Sequence, residues 1–135
     1  MSLSDDLVVT QKMAQEKDAI YILVDIENSS DFSWLVQTVP PVRERALGQE
    51  FLISAEGKNI PYIGAMAKLK PLQQSDFYEL KSGSKEARKI RIDLDYGLLS
   101  GTHTYEISYT YLVYNAVTEK VEARLSPKTS LNISR

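Results

Sequence analysis

Between Lys89 and Asp95 the chain reads Lys-Ile-Arg-Ile-Asp-Leu-Asp, a period of two that a half-buried β-strand explains and a helix does not. Ile90, Ile92 and Leu94 are predicted to point inward and Lys89, Arg91, Asp93 and Asp95 outward. A slip of one residue would bury the charged set, which fixes the register. The same pattern puts Ile20, Ile22, Val24 and Ile26 on one strand face with Asp25 and Glu27 on the other. It also places Tyr105, Ile107, Tyr109, Tyr111 and Val113 together on the longest strand. Shorter strands are predicted at 7–13, Phe32–Val36, Gln49–Ser54, Phe77–Leu80 and Val121–Leu125, with a last one through Leu131 and Ile133.

Turn residues separate these runs. Gln15–Asp18, Asn28–Asp31, Lys81–Ser84 and Asn115–Glu119 read as turns, and Glu56–Asn59 as a hairpin. Pro40-Pro41 with Arg43, Glu44 and Arg45 reads as a connecting loop, because proline cannot donate to a ladder. From Ile60 to Pro71 the period is lost, and this apolar stretch is expected to cross between sheets with its apolar side chains packed down. No helical period competes with the strands. The prediction is an all-β chain, an immunoglobulin-like antiparallel β-sandwich of about 7–9 strands. It fills residues 1–135 as a single domain, with residues 1–6 a disordered or appended start. Trp34, the one tryptophan, is expected to anchor the core between the sheets.

Charge and chemistry narrow the function. A net charge of -2 argues against a nucleic-acid partner. The cluster Lys85, Arg88, Lys89 and Arg91 is interrupted by Glu86, Asp93 and Asp95 and reads as a solvated strand face. No apolar run reaches the roughly 18 residues of a membrane helix, so membrane insertion is not expected, and Met1–Asp6 lacks the character of a signal peptide. There is no cysteine, and His103 is the single histidine. Zinc hydrolysis needs converging His and carboxylate ligands, and nucleophilic catalysis needs a serine or cysteine beside a base. Neither constellation is present in the sequence, nor is a glycine-rich phosphate loop. No catalytic residue, metal site or cofactor is therefore assigned. Asp93 and Asp95 have a spacing that could serve calcium, with a solvated strand face as the plainer reading. Asn28-Ser29-Ser30 and Asn132-Ile133-Ser134 match the glycan acceptor pattern.

One set of residues points further: Asn28, Phe51, Gly57-Lys58, Pro61-Tyr62-x-Gly64, Lys68, Pro71, Asp76-Phe77, Leu80, Gly83, Asp93-Leu94, Tyr96, Leu98, Gly101-Thr102 and Tyr105. Their order over residues 7–113 resembles the N-terminal β domain of deuterolysin-like (aspzincin, peptidyl-Lys) metalloendopeptidases. Pro61-Tyr-Ile-Gly64 followed by Lys68 is its most specific piece. The His-Glu-x-x-His helix of the protease itself is missing. The resemblance implies a non-catalytic prodomain or accessory domain, secreted or periplasmic, that acts on a zinc metalloendopeptidase domain in cis or in trans as inhibitor or folding chaperone. Tyr62, Gly64, Lys68 and Lys70 are the implied protein-binding residues. The alternative is a structural or adhesive immunoglobulin-like module of a bacterial surface protein, with Tyr62, Tyr78, Tyr96 and Tyr114 as the exposed aromatics a glycan would need. Self-association is expected to be nil or limited to a weak edge-strand dimer.

Overall fold

The alternating runs at Ile20–Ile26 and Tyr105–Val113 become the two inner faces of a sandwich in the computed structural model, which describes residues 7–46, 48–65 and 71–135. The strands are β1 (Leu7–Glu16), β2 (Ala19–Asn28), β3 (Trp34–Gln37), β4 (Val42–Arg43), β5 (Phe51–Ala55), β6 (Lys58–Asn59), β7 (Phe77–Leu80), β8 (Lys85–Arg91), β9 (Thr102–Asn115), β10 (Lys120–Leu125) and β11 (Thr129–Ser134). One sheet runs β1-β2-β8-β4 and the other β6-β5-β9-β3-β7, with β10 and β11 also paired to β9. Every pairing is antiparallel except β4 with β8. Two of the strands, β4 and β6, are two-residue pieces that no periodicity announces; without them the count matches the sequence prediction.

β9 is the spine of the second sheet. Its first half pairs with both β5 and β11, and its second half with both β3 and β10, so each pair of partners must lie on opposite sides of it. Thr110 N–H donates to Glu50 O on the β5 side, while Tyr109 O accepts from Ser126 N–H on the other. β5 and β3 therefore follow one another along one side, and β10 and β11 along the other. The inward residues of β2 and β9 meet between the sheets, with Ile22, Val24, Ile26, Tyr105, Ile107 and Val113 fully buried. Side chains of this size fill such an interior densely and supply most of the drive to fold.

The strand predicted through Asp95 ends earlier. β8 stops at Arg91, and Ile92 O accepts from Asp95 N–H at 3.3 Å and Tyr96 N–H at 3.1 Å, which folds the chain into a turn. Ile90 and Ile92 point inward as predicted, but Leu94 is 43% exposed, whereas Asp93 and Asp95 are 9% and 1% exposed. The parity inverts because both carboxylates find arginine and backbone donors, which removes the penalty that would otherwise keep them in water. Arg88 is also buried. It shares the inward parity of Ile90 and Ile92, and its guanidinium donates to Tyr109 Oη at 2.7 Å and Gln37 O at 2.9 Å, joining β8 to the opposite sheet. The predicted solvated basic face thus keeps Lys85 and Lys89 and loses Arg88.

Three further expectations change. Trp34 is half-buried at the margin of the core, with the Arg124 guanidinium 4.4 Å from its ring and Phe32 at 5.6 Å. The Pro40–Arg45 loop contains β4, and Arg43 is buried in a two-pronged pair with Glu50 at 2.6 and 2.7 Å. Asn28, offered as a glycan acceptor, has no exposed surface. Its amide donates to Phe32 O and Leu80 O, and its Oδ1 accepts from Ser30. The predicted start at residues 1–6 lies outside the described residues.

Tyr96, also fully buried, accepts Phe51 N–H at 2.9 Å through its hydroxyl. Tyr96→Phe leaves that N–H without a partner inside the core, and the expected loss is about 1–3 kcal/mol of unfolding free energy. Urea titration should show the midpoint fall with the slope unchanged.

Candidate functional site

The hairpin of β5 and β6 ends when Ile60 buries its side chain and returns its N–H to Ile53 O at 2.8 Å. Pro61 then prevents the ladder from continuing. Instead the chain lies against the turn that follows β8. Gly97 N–H donates to Pro61 O at 3.0 Å, Ile63 N–H donates to Asp95 O at 2.7 Å, and Tyr62 forms an isolated bridge with Tyr96. The Tyr62 and Tyr96 rings meet edge to face at 5.3 Å, and Tyr62 Oη donates to Ala65 O at 2.6 Å. Gly64 has to be glycine. A Cβ there would stand 2.6 Å from Asp95 Oδ1 and 2.7 Å from Tyr62 Oη, inside contact distance.

Asp95 holds this assembly from beneath. Its Oδ1 accepts from Arg45 Nε at 3.0 Å and Arg45 Nη2 at 2.6 Å, and its Oδ2 accepts from Ala46 N–H at 2.8 Å. Burial alone would push this carboxyl up, but the Arg45 hydrogen bonds and the Ala46 N–H outweigh it and hold it below the usual carboxylate range. Asp93 is treated likewise: burial opposes its charge, while Arg91 and Ile20 N–H hold the carboxyl low. Arg91 also reaches Glu44, whose carboxylate accepts from Tyr21 Oη at 2.7 Å. Burial, then the negative charges of Asp95 and Glu50, push the Tyr62 phenol up, so Tyr62 stays a hydrogen-bond donor.

Of the residues named from sequence, Tyr62 and Gly64 come together, and Lys68 and Lys70 lie outside the described residues. Sequence reasoning missed Ile63. The stretch was expected to pack its apolar side chains down, yet Ile63 is 63% exposed while its N–H is pinned. The alternation around Tyr62 and Gly64 holds the only signal for this, since inward Tyr62 leaves Ile63 facing out. Leu94, carried on the turn that Ile63 is bonded to, is exposed as well. A groove of about 360 Å³ begins at Pro61 and runs between Leu52, Glu106, Leu125 and Lys128.

The oxygens of Asp93 and Asp95 are already occupied by arginine and backbone donors, which replaces the calcium reading. Among the described residues no three His, Asp or Glu side chains converge as a metal site. His103 sits elsewhere, with Nδ1 3.2 Å from Glu56 Oε1 and Nε2 2.8 Å from Ser100 O. The four tyrosines considered for a glycan do not form an exposed set, because Tyr96 is fully buried and Tyr62, Tyr78 and Tyr114 are half-buried. No family model matches the sequence, and neither does any of the curated proteins.

A carboxyl held low in the folded chain favours folding wherever the unfolded chain would still take up the proton. The contribution of Asp95 is therefore complete above the ordinary aspartate value of about 3.9 and fades as pH falls through the depressed one. Asp95→Asn is expected to cost about 2 kcal/mol at neutral pH. Thermal melts of variant and parent should converge as the pH is lowered past the aspartate range. Gly64→Ala, which forces either Asp95 or Tyr62 from its place, should cost about 1–3 kcal/mol in the same assay.

Proposed function

We propose that this chain is a non-catalytic, immunoglobulin-like interaction domain that docks on a zinc metalloendopeptidase and acts as its inhibitor or folding chaperone. The observation that carries this reading is Ile63: an aliphatic side chain held in water by a backbone that is tied down on both sides. A side chain so presented loses little conformational freedom on binding, and anchors of this kind fill pockets at the centre of interfaces. Leu94 beside it and the groove that begins at Pro61 extend the surface available to a partner.

Support for the choice of partner comes from the residues that carry the resemblance. Several hold one another in place: Asn28 bonds Leu80 O and accepts Gly83 N–H, Tyr96 bonds Phe51, and Tyr62 and Gly64 pack on Tyr96 and Asp95. Tyr96, Phe51, Tyr62 and Gly64 frame Ile63, while Asn28, Leu80 and Gly83 tie the chain together at the other end of β8. Peptidyl-Lys proteases accept lysine, so Lys68 and Lys70, directly downstream, are the proposed contacts with the protease active site.

Titrating the purified chain into a deuterolysin-like zinc protease tests this. Turnover of a lysine-containing peptide should fall with added chain, Ile63→Asp should weaken the effect by about tenfold or more, and Lys68→Ala with Lys70→Ala should relieve it. Unchanged turnover together with an unchanged refolding yield of the protease would contradict the proposal.

A further inference from the structure

β10 is built inside out. In Lys120-Val-Glu-Ala-Arg-Leu125 the apolar residues alternate with charged ones, as in any half-buried strand. Here, though, Arg124 pairs with inward Tyr111 and lies over the half-buried Trp34 ring, and Glu122 pairs with inward Val113. Val121, Ala123 and Leu125 are left on the solvent face, with Val121 36% and Leu125 55% exposed. They stand opposite Tyr114, Leu112 and Thr110 of β9, the first two only half-buried, so the outer face of this end of the sheet is apolar.

The edge of β10 is also open. Ser126 N–H donates to Tyr109 O, which puts the backbone groups of Arg124, Glu122 and Lys120 toward β9 and those of Leu125, Ala123 and Val121 away from it. No hydrogen bond among the described residues engages the backbone of those three. β11, on the same side of β9, is treated differently: β1 runs beside it, and Gln15 Nε2 donates to its Ser134 O at 3.2 Å. Open edges are ordinarily protected against strand addition, often by inward charges.

We infer that β10 pairs with β10 of a second copy of this chain, antiparallel about a two-fold axis at Ala123. In that register Ala123 faces Ala123 of the other copy and Val121 faces its Leu125, and these are the residues whose backbone groups are free. Glu122 then faces Arg124, and Arg124 faces Glu122, so the charges that would block an arbitrary strand form two cross-strand ion pairs. Moving the register by two residues in either direction sets Glu122 against Glu122 or Arg124 against Arg124. Charge therefore selects one register out of three, and the two-fold makes the contact isologous and closed. The second sheets become continuous, and the apolar faces at Val121 and Leu125 adjoin. Two strands of this length bury less than a standard interface of about 1,600 Å², so the dimer is weak and concentration-dependent. Leu125 is shared with the groove that begins at Pro61, but Ile63 and the residues around Asp95 take no part, so the pairing does not rest on the protease reading.

Sedimentation equilibrium of the full chain, from micromolar to millimolar concentration, tests the pairing. The parent should shift from monomer toward dimer. Glu122→Arg and Arg124→Glu should each raise the dissociation constant by about tenfold or more, and an equimolar mixture of the two should recover the dimer as a heterodimer. Ala123→Pro removes an N–H that β9 does not use and should leave a folded monomer. Glu122→Arg and Ala123→Pro keep the Arg124–Trp34 contact and decide the question even where Arg124→Glu does not fold. A parent that stays monomeric to millimolar concentration overturns the inference and leaves the edge to a strand of another protein. A dimer that survives both Glu122→Arg and Ala123→Pro overturns it in favour of another surface.

Discussion

A carboxylate shut away from water has to be met by donors, and Asp95 is met by a guanidinium and a backbone N–H from the loop after β4. Those donors lie about fifty residues earlier in the chain, so the contact ties the β4 loop to the turn after β8. The backbone carbonyl of the same residue takes the N–H of Ile63, which brings in the stretch after β6. Three irregular segments thus meet at one residue. With no periodic hydrogen-bond ladder to shape this end of the sandwich, its geometry follows from that carboxylate and from the glycine that lets the chain pass close to it.

Polar groups also bind the two layers elsewhere. Arg88 spans from β8 to Tyr109 and to the end of β3, and Arg43 grips Glu50 just before β5. On the other flank Gln11 of β1 donates to Ile107 O and Ser126 Oγ, where β10 gives way to β11. Apolar contact drives the layers together without choosing how they sit. Directional contacts of this kind exclude alternative registers, because each would leave a buried charge or amide unmatched.

The regular parts of the fold were legible because they depend on parity alone. Ile20 through Ile26 and Tyr105 through Val113 could be placed from alternation. Parity would have put Arg88 inside as well, had its charge not been allowed to decide. Asp93 and Asp95 could not be placed this way, since their burial depends on partners that only the tertiary fold supplies. β10 shows the converse limit: its alternation is plain in the sequence, but which face meets solvent is settled by where β9 and Trp34 lie. At the candidate site Tyr62 and Gly64 could be named in advance, while exposed Ile63 followed only from the inward seating of Tyr62.

If Asp95 organises this end of the molecule, the Ile63 and Gly97 amides must be protected by it. Native-state hydrogen exchange on the chain and on Arg45→Met measures this directly. The account predicts that both amides exchange slowly in the parent, and that the substitution speeds them while Ile22 and Ile107 in the strands keep their protection. Rapid exchange at Ile63 in the parent, or protection at Ile63 and Gly97 that survives the loss of the Arg45 guanidinium, would contradict it.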